Sequence, residues 1–461
     1  MKPHIFVIVL LICSSCSLRQ RCIAPELSLP DQICSNIVSD SSCLADSHWS
    51  EIFTDPLLQD LIYQTLAYNK DLLSAAARIQ ELQKFHRATQ ADHLPSIDAN
   101  GHIEHETHNL TSNNQTLDLE VTAKLTLSWE IDLFGRIRWA KKEALANYLQ
   151  TVEGQKALQI TLIAEVASSY YQLMALDNKL EILTRTLNTR EEDLNKARLR
   201  FESGLTSEMP YQQAQVEYAS TAALIPDLQR QIKLKETELS LLTGSMPSSI
   251  LRSKIQRHEI SMNIHCLGIP SDLIKRRPDI SAAEQSLKAQ MAKAGYAWAD
   301  RFPRFAITLE GGLEHSAFKG FFSAPLTYAL GELTAPLFSF SKRKARYEAA
   351  IQAYEAERHQ YEKSVLQAFK EVNDAVNSYS SANQQVILME NLRNSAKKYL
   401  DLAHIQYTNG QVNYISVLDA QRSYLNAKIN LSNAILNENI ALIHLYKSLG
   451  GGWQNKNSQQ Q

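Results

Sequence analysis

Residues 117–132 read LDLEVTAKLTLSWEID, and this stretch decides the fold. From Leu117 to Ile131, eight apolar residues alternate strictly with polar ones, which is the period of a β-strand that has one apolar and one polar face. Such a strand is typical of a transmembrane barrel with a wet lumen. The alternative is one face of a soluble β-sandwich.

Three other stretches predict partner strands. Residues 97–104 alternate in the same way, as do residues 305–314, and a rougher strand lies near residues 326–336. We therefore expect one β-hairpin at about residues 96–133 and a second at about residues 304–337.

The strand count predicts the oligomer. Four strands are too few to close a barrel, and lipid does not tolerate open sheet edges. Three chains would supply twelve strands, so the sequence predicts a homotrimer with a shared transmembrane β-barrel. The fold class is thus a mixed α/β membrane protein, because long helices accompany the strands.

Each half of the chain also predicts a very long helix. Residues 136–209 contain no proline, and residues 339–409 contain neither proline nor glycine. Seventy helical residues span roughly 105 Å, and leucines between Leu173 and Leu194 follow a heptad spacing. Gly204 and Gly410 interrupt these segments and predict the tips of two antiparallel coiled-coil hairpins. A cytosolic coiled-coil rod is the alternative.

The two halves form an internal repeat. Phe201–Gly204 corresponds to Tyr407–Gly410, and Ala214-Gln215 to Ala420-Gln421, both at an offset of 206 residues. We place the first repeat at residues 51–260 and the second at residues 261–452. Residues 16–50 are expected to form an extended N-terminal segment, and residues 453–461 a polar tail.

Composition excludes several classes of protein. The 461 residues include 47 Lys and Arg and 49 Asp and Glu, for a net charge of −2, which argues against a general nucleic-acid binder. The mean hydropathy of −0.27 argues against a polytopic helical membrane protein.

The N-terminus reads as an export signal. Residues 5–12 (IFVIVLLI) form a short apolar core after Lys2, and small residues precede Cys16. This pattern predicts a lipoprotein signal peptide at residues 1–15, with Cys16 as the acylated residue. Ser17 then favours sorting to the outer membrane. Cys13 and Cys22 are the other candidates for acylation, and an ordinary cleaved secretory signal is the alternative.

The remaining cysteines predict no metal site. Cys22, Cys34, Cys43 and Cys266 match no zinc spacing, and they are either incidental thiols or include one local bridge, such as Cys34 with Cys43.

Three further motifs lie at residues 49–57, 268–280 and 414–422. They resemble the TolC-like outer-membrane efflux proteins, specifically the lipoprotein branch that serves resistance-nodulation-division (RND) pumps. Trp49 with residues 53–57 (FTDPL) looks like the family's opening stretch. Residues 268–280 (GIPSDLIKRRPDI) look like the segment that joins the two halves. Residues 414–422 (YISVLDAQR) look like the signature near the periplasmic tip. The resemblance covers about residues 49–452.

The resemblance implies a passive exit duct for small molecules, docked onto a periplasmic adaptor protein and an inner-membrane RND pump. In similar proteins, rings of aspartate and apolar residues narrow the bore. Carried onto this sequence, Asp419 forms the charged ring, Ile415 the apolar ring, and Arg422 an ion pair that holds adjacent tips together. The equivalent first-repeat positions are Met209 and Gln213. Without the resemblance, Asp419 reads as a solvated carboxylate on a helix face. The tips near Gly204 and Gly410 would contact the adaptor.

Nothing in the sequence predicts an enzyme or a cofactor, because the phosphate-loop, GxSxG, HExxH and GxGxxG motifs are missing. His102, Glu104, Glu106 and His108 share one strand face, and we interpret them as a polar lumen wall rather than a metal site. Two functional alternatives stay open. One is the outer-membrane duct of a type I protein secretion system, and the other is a lipid-anchored periplasmic tether.

Overall fold

The structure is a computed structural model that describes residues 48–108, 116–255, 270–315, 321–334 and 339–451. The predicted signal peptide, the polar tail and the five residues Cys16, Cys22, Cys34, Cys43 and Cys266 lie outside the described residues. The elements in chain order are α1 (Trp49–Ile52), α2 (Pro56–Tyr68), α3 (Lys70–Ala91), β1 (Ser96–His108), β2 (Thr116–Ile131), α4 (Arg136–Glu202), α5 (Glu208–Ala222), α6 (Leu224–Leu242), α7 (Pro270–Arg276), α8 (Pro278–Ala299), β3 (Arg304–His315), β4 (Pro325–Thr334), α9 (Phe340–Thr408) and α10 (Tyr414–Ser448).

The described chain divides into two units, and each takes residues from both repeats. The first unit comprises the described parts of residues 77–152 and 281–364 and holds the sheet. The second comprises the described parts of residues 28–76, 153–280 and 365–461 and is helical. None of the described helices combines the length and apolar character needed to cross a membrane.

The four predicted strands form one antiparallel sheet in the order β1-β2-β3-β4. Leu127 on β2 lies opposite Ile97 on one side and Leu309 on the other, whereas its neighbour Thr126 lies opposite Asp98 and Glu310. Residues directly opposite each other share a face of the sheet. The register therefore collects apolar side chains on one face and polar side chains on the other, as the alternation predicts.

Polar contacts bridge neighbouring strands on the polar face. Lys124 Nζ lies 3.1 Å from Glu310 Oε2, and Thr126 Oγ1 donates to Glu310 Oε1 at 3.4 Å. These contacts link β2 of the first repeat to β3 of the second. The two repeats therefore share one continuous sheet.

The opening motif of the chain is a helix cap. Asp55 precedes Pro56, the first residue of α2, and Asp55 Oδ1 accepts a hydrogen bond from the backbone N–H of Leu57 at 2.9 Å. Its second oxygen accepts from the Tyr170 hydroxyl at 2.7 Å, which in turn accepts from the Ser253 N–H at 3.1 Å. Burial raises the pKa of Tyr170 to about 12, so its hydroxyl stays a donor.

The motif that joins the repeats supplies a buried arginine. Arg277 lies between α7 and α8 and is 7% exposed. Its guanidinium donates to Asp279 at 2.7 Å, to Glu371 at 2.6 Å and to the Ser448 carbonyl at 3.0 Å. Burial alone would lower the pKa of Arg277, but the hydrogen bonds to both carboxylates raise it. The linker is thereby fixed to the helices α9 and α10.

The two repeats differ in one helix. Helical sequence resumes after Gly204 and extends to Leu242, but the structure breaks this segment at Ala223 between α5 and α6. Pro226 explains the break, because it has no N–H to donate to the Ala222 carbonyl. The equivalent residue of the second repeat is Ser432, and α10 runs unbroken past it.

Glycines with positive φ angles occur at equivalent positions of the two repeats. Gly204 and Gly410 have φ angles of 70° and 73°, and Gly244 and Gly450 have 71° and 81°. Each pair is 206 residues apart. The Leu205 N–H donates to the Arg200 carbonyl at 2.9 Å, and the Gln411 N–H to the Gln406 carbonyl at 2.8 Å, which are the 6→1 bonds of a Schellman motif.

The glycines allow a test of this packing. A Cβ on Gly204 meets no atom within 4 Å, whereas a Cβ on Gly244 collides with the Tyr68 carbonyl oxygen. Gly204→Ala should therefore lower the free energy of unfolding by about 1–2 kcal/mol, from the left-handed backbone alone, and Gly244→Ala should lower it more.

Thermal unfolding of the purified protein, followed by circular dichroism, measures the difference. The control is Gly154→Ala in the interior of α4, which we expect to be neutral or stabilising because no atom lies within 4 Å. Equal midpoints for Gly204→Ala and Gly244→Ala would contradict the described packing of Gly244.

Candidate functional site

The hairpin tips lie where the long helices end. Gly204 follows α4 and Gly410 follows α9, and α5 and α10 begin within four residues of them. The Arg200 Nη1 donates to the Tyr407 hydroxyl at 2.6 Å, which ties the first tip to the second. A cavity of about 690 Å³ lies beside this contact. Its walls include Arg200, Pro210, Tyr407 and Tyr414.

The predicted gate residues share one surface groove. Ile415 and Asp419 on α10, together with Met209 and Gln213 on α5, line a groove of about 430 Å³. Ile415 is 51% exposed and Met209 is 63% exposed, so apolar side chains of both repeats face solvent in the single chain. The structure thus brings the equivalent positions of the two repeats together.

Asp419 has one hydrogen-bond partner on the neighbouring helix. The Tyr399 hydroxyl on α9 donates to Asp419 Oδ2 at 3.1 Å, and this bond raises the pKa of Tyr399. Nearby, Val417 and Ala420 on the opposite face of α10 pack with Ala403 in a small apolar core. Asp419 is therefore held at the surface of a helix whose other face is buried.

Arg422 pairs within its own chain. Its Nε donates to Glu217 Oε1 on α5 at 2.7 Å, and its Nη2 contacts the same oxygen. This hydrogen bond raises the pKa of Arg422. The ion pair joins the first hairpin to the second within one chain. The prediction that Arg422 holds adjacent tips together stays a prediction.

Glu217 is the centre of a buried ionic cluster that the sequence reasoning missed. The other oxygen of Glu217 lies 2.7 Å from Arg190 Nη2 on α4. Arg190 Nη1 also donates to the Glu217 carbonyl at 2.8 Å and contacts the Thr221 hydroxyl. Arg190 and Glu217 are both 5% exposed.

A sequence signal for Glu217 does exist. Ala214, Glu217 and Thr221 are buried on α5 and follow the 3-and-4 spacing of a packed helix face. A carboxylate on such a face needs a cationic partner, because an unpaired buried charge costs several kcal/mol. The identity of that partner, Arg190, follows only from the packing of α4 against α5.

The described residues contain no group of three or more metal-ligating side chains. His102 Nε2 lies 3.1 Å from Glu104 Oε2 on β1, and both side chains are exposed. The side chains of Glu106 and His108 lie outside the described part of the chain.

Comparison with known proteins gives consistent matches. The family described as "Outer membrane efflux protein" matches residues 61–245 and 269–451. The solvent efflux pump outer membrane protein SrpC of Pseudomonas putida is 31% identical over 408 residues, which cover 87% of each chain. The cation efflux system protein CusC of Escherichia coli is 28% identical over 451 residues, covering 97% of this chain and 98% of that protein.

Solved structures agree with these relatives. The outer-membrane channel OprN is 26% identical with a TM-score of 0.85, and the match covers 94% of this chain and 100% of that one. The open state of the MtrE outer membrane channel of Neisseria gonorrhoeae is 27% identical with a TM-score of 0.82, covering 94% and 97%.

These matches confirm the predicted fold class, in which each chain gives four strands to a trimeric twelve-stranded barrel and adds long periplasmic helices. They also confirm the predicted location in the outer membrane and the channel role in efflux. The chain belongs to the outer membrane efflux protein family.

Proposed function

We propose that this chain is the passive exit duct of a tripartite efflux system for small molecules. The inner-membrane pump would be of the RND class, and a periplasmic adaptor would contact the tips near Gly204 and Gly410. The observation that carries this proposal is the similarity, over 87% of both chains, to an outer membrane protein of a solvent efflux pump. Other relatives are named for toluene, antibiotic and cation efflux, which supports small cargo in general.

A deletion strain tests the duct and its cargo together. Loss of the chain should lower the minimal inhibitory concentration of at least one class among solvents, antibiotics and metal cations, because export across the outer membrane would stop. The measurement is a susceptibility panel, and the control is the deletion strain complemented with the wild-type gene. Unchanged susceptibility together with the loss of a secreted protein would favour the type I secretion duct instead.

The closed state is the second part of the proposal. In a trimer, three copies of Asp419 and Ile415 would narrow the bore, and the Arg422–Glu217 ion pair would hold α10 against α5. The exposure of Ile415 and Met209 in the groove supports this arrangement, because such apolar side chains are available for contacts with other copies. Like charges on three aspartates repel one another and attract cations.

Removing the charges should open the gate. Asp419→Ala combined with Arg422→Ala should raise the single-channel conductance severalfold in planar lipid bilayers, since the ring charge and the clamp to Glu217 are both lost. The matched control is Asp401→Ala with Lys397→Ala on the exposed face of α9, which removes the same two charges away from the groove. Closure equal to that of the wild type would count against the gate assignment.

The lipid anchor is the third part of the proposal. We assign acylation to Cys16, because Ser14 and Ser15 precede it as a lipoprotein signal requires. Cys16→Ser should abolish incorporation of labelled palmitate, while Cys22→Ser should retain it. Metabolic labelling followed by electrophoresis measures both variants, and the reverse pattern would move the anchor to Cys22.

A further inference from the structure

A small cavity lies behind the buried ionic cluster in the helical unit. It measures about 140 Å³, which is room for several waters or one small ion, and it is bounded by α4, α9 and α10. Basic and neutral side chains line it, and none of the lining residues is a carboxylate. The residues used below are Arg185, Arg190, Gln421, Tyr424 and Lys428.

Two residues that line the cavity each carry a buried polar atom with no partner among the described residues. The Nε–H of Arg190 has no acceptor among the described residues, although its two terminal nitrogens are engaged by Glu217 and Thr221. The Oε1 of Gln421 has no donor within the described chain, although its Nε2 donates to Asp193 at 2.7 Å. Buried donors and acceptors are normally satisfied, so these two atoms suit an occupant that both accepts and donates hydrogen bonds.

The charge of the walls indicates the sign of the occupant. Lys428 Nζ lies 4.4 Å from the centre of the Tyr424 ring, and no described carboxylate lies within ion-pair distance of it. Arg185 pairs with Glu181, and Arg190 with Glu217. Lys428 is partly exposed, so water can solvate its ammonium. The excess positive charge lies in the ionic cluster, where Arg190 and Arg422 share the single carboxylate of Glu217. Water would satisfy the two unpaired polar atoms but would leave this charge without a counter-ion.

We propose that this cavity binds a small oxyanion of the hydrogenphosphate class. One of its oxygens would accept from the Nε–H of Arg190, another would accept from Lys428, and its protonated oxygen would donate to Oε1 of Gln421. A hydrogenphosphate supplies both acceptors and a donor, which neither chloride nor a fully deprotonated carboxylate does.

Binding there is coupled to the gate, and this step rests on the proposed function. The anion and Glu217 share the guanidinium of Arg190, so they compete for its positive charge. An anion in the cavity weakens the hold of Arg190 on Glu217, and the released carboxylate pairs more strongly with Arg422, which tightens the clamp. The cavity thus gives the closed state a dependence on anions.

Calorimetric titration of the purified wild-type protein with inorganic phosphate tests the site. Lys428→Gln should weaken phosphate binding about tenfold or more, because one charged hydrogen bond is lost. Glu217→Gln should strengthen binding severalfold, because it removes the competing carboxylate. The control is Lys397→Gln, an exposed lysine on α9 outside the cavity, which should bind like the wild type.

A lower phosphate affinity of Lys428→Gln together with a higher affinity of Glu217→Gln would distinguish a specific site from general attraction to basic residues. Heat-modifiable migration on gels establishes that each variant is still an intact oligomer. A wild-type protein that takes up no phosphate, or a Lys428→Gln variant with unchanged affinity, would mean that the cavity holds water only and would overturn the proposal.

Single-channel recordings test the coupling separately. At constant ionic strength, phosphate should decrease the open fraction of the wild-type channel relative to chloride, and Lys428→Gln should not respond. Binding without any change in the open fraction would reject the coupling and leave the binding site in place. If the gate assignment itself were wrong, the double variant of Asp419 and Arg422 would close like the wild type.

Discussion

The fold depends on the rule that lipid offers no partner to an unpaired strand edge. One chain provides a four-stranded sheet whose edge strands are β1, with 13 residues, and β4, with 10 residues. Each backbone N–H or carbonyl left unpaired in hydrocarbon costs several kcal/mol, so the edges require strands from other chains. Lipid also requires that the outer face of the sheet be apolar. The strand register provides this face, because a slip of one residue would carry every apolar side chain to the wet face.

The sequence predicted the parts of the fold that depend on local pattern. The strict alternation before Ile131 and the glycines at the tips lie where the structure has β2 and the helix ends. The break at Ala223 was readable from Pro226, which lies in the fourth position after Ala222. The pairing of Glu217 with Arg190 was not predictable in the same way. Their contact joins helices α4 and α5, and it follows from their packing rather than from any short spacing.

The repeats share their hairpin architecture but not their charges. Asp419, Glu217, Arg190 and Pro226 correspond to Gln213, Ser423, Ala396 and Ser432 in the other repeat. A trimer therefore contains six similar hairpins whose ionic groups follow a three-fold rather than a six-fold pattern. The first hairpin holds Arg190 and Glu217 in its interior, whereas the second presents Asp419 and Arg422 at its surface. The same hairpin scaffold therefore carries a different set of charges in each repeat.

Glu217 forms two ion pairs, one with Arg190 and one with Arg422, and they differ in strength. Arg190 and Glu217 expose 6% and 7% of their side chains, so separating them would leave a buried charge at a cost of about 3–5 kcal/mol. The Arg422 side chain is 56% exposed, and water can replace its partner at a cost of about 1 kcal/mol or less. A buried ion pair contributes little net stability compared with apolar packing. The buried pair keeps Glu217 fixed to α4, whereas α10 is held by the exposed Arg422–Glu217 pair, which is easier to break. A conformational change at this point would therefore move the second hairpin and leave the first intact.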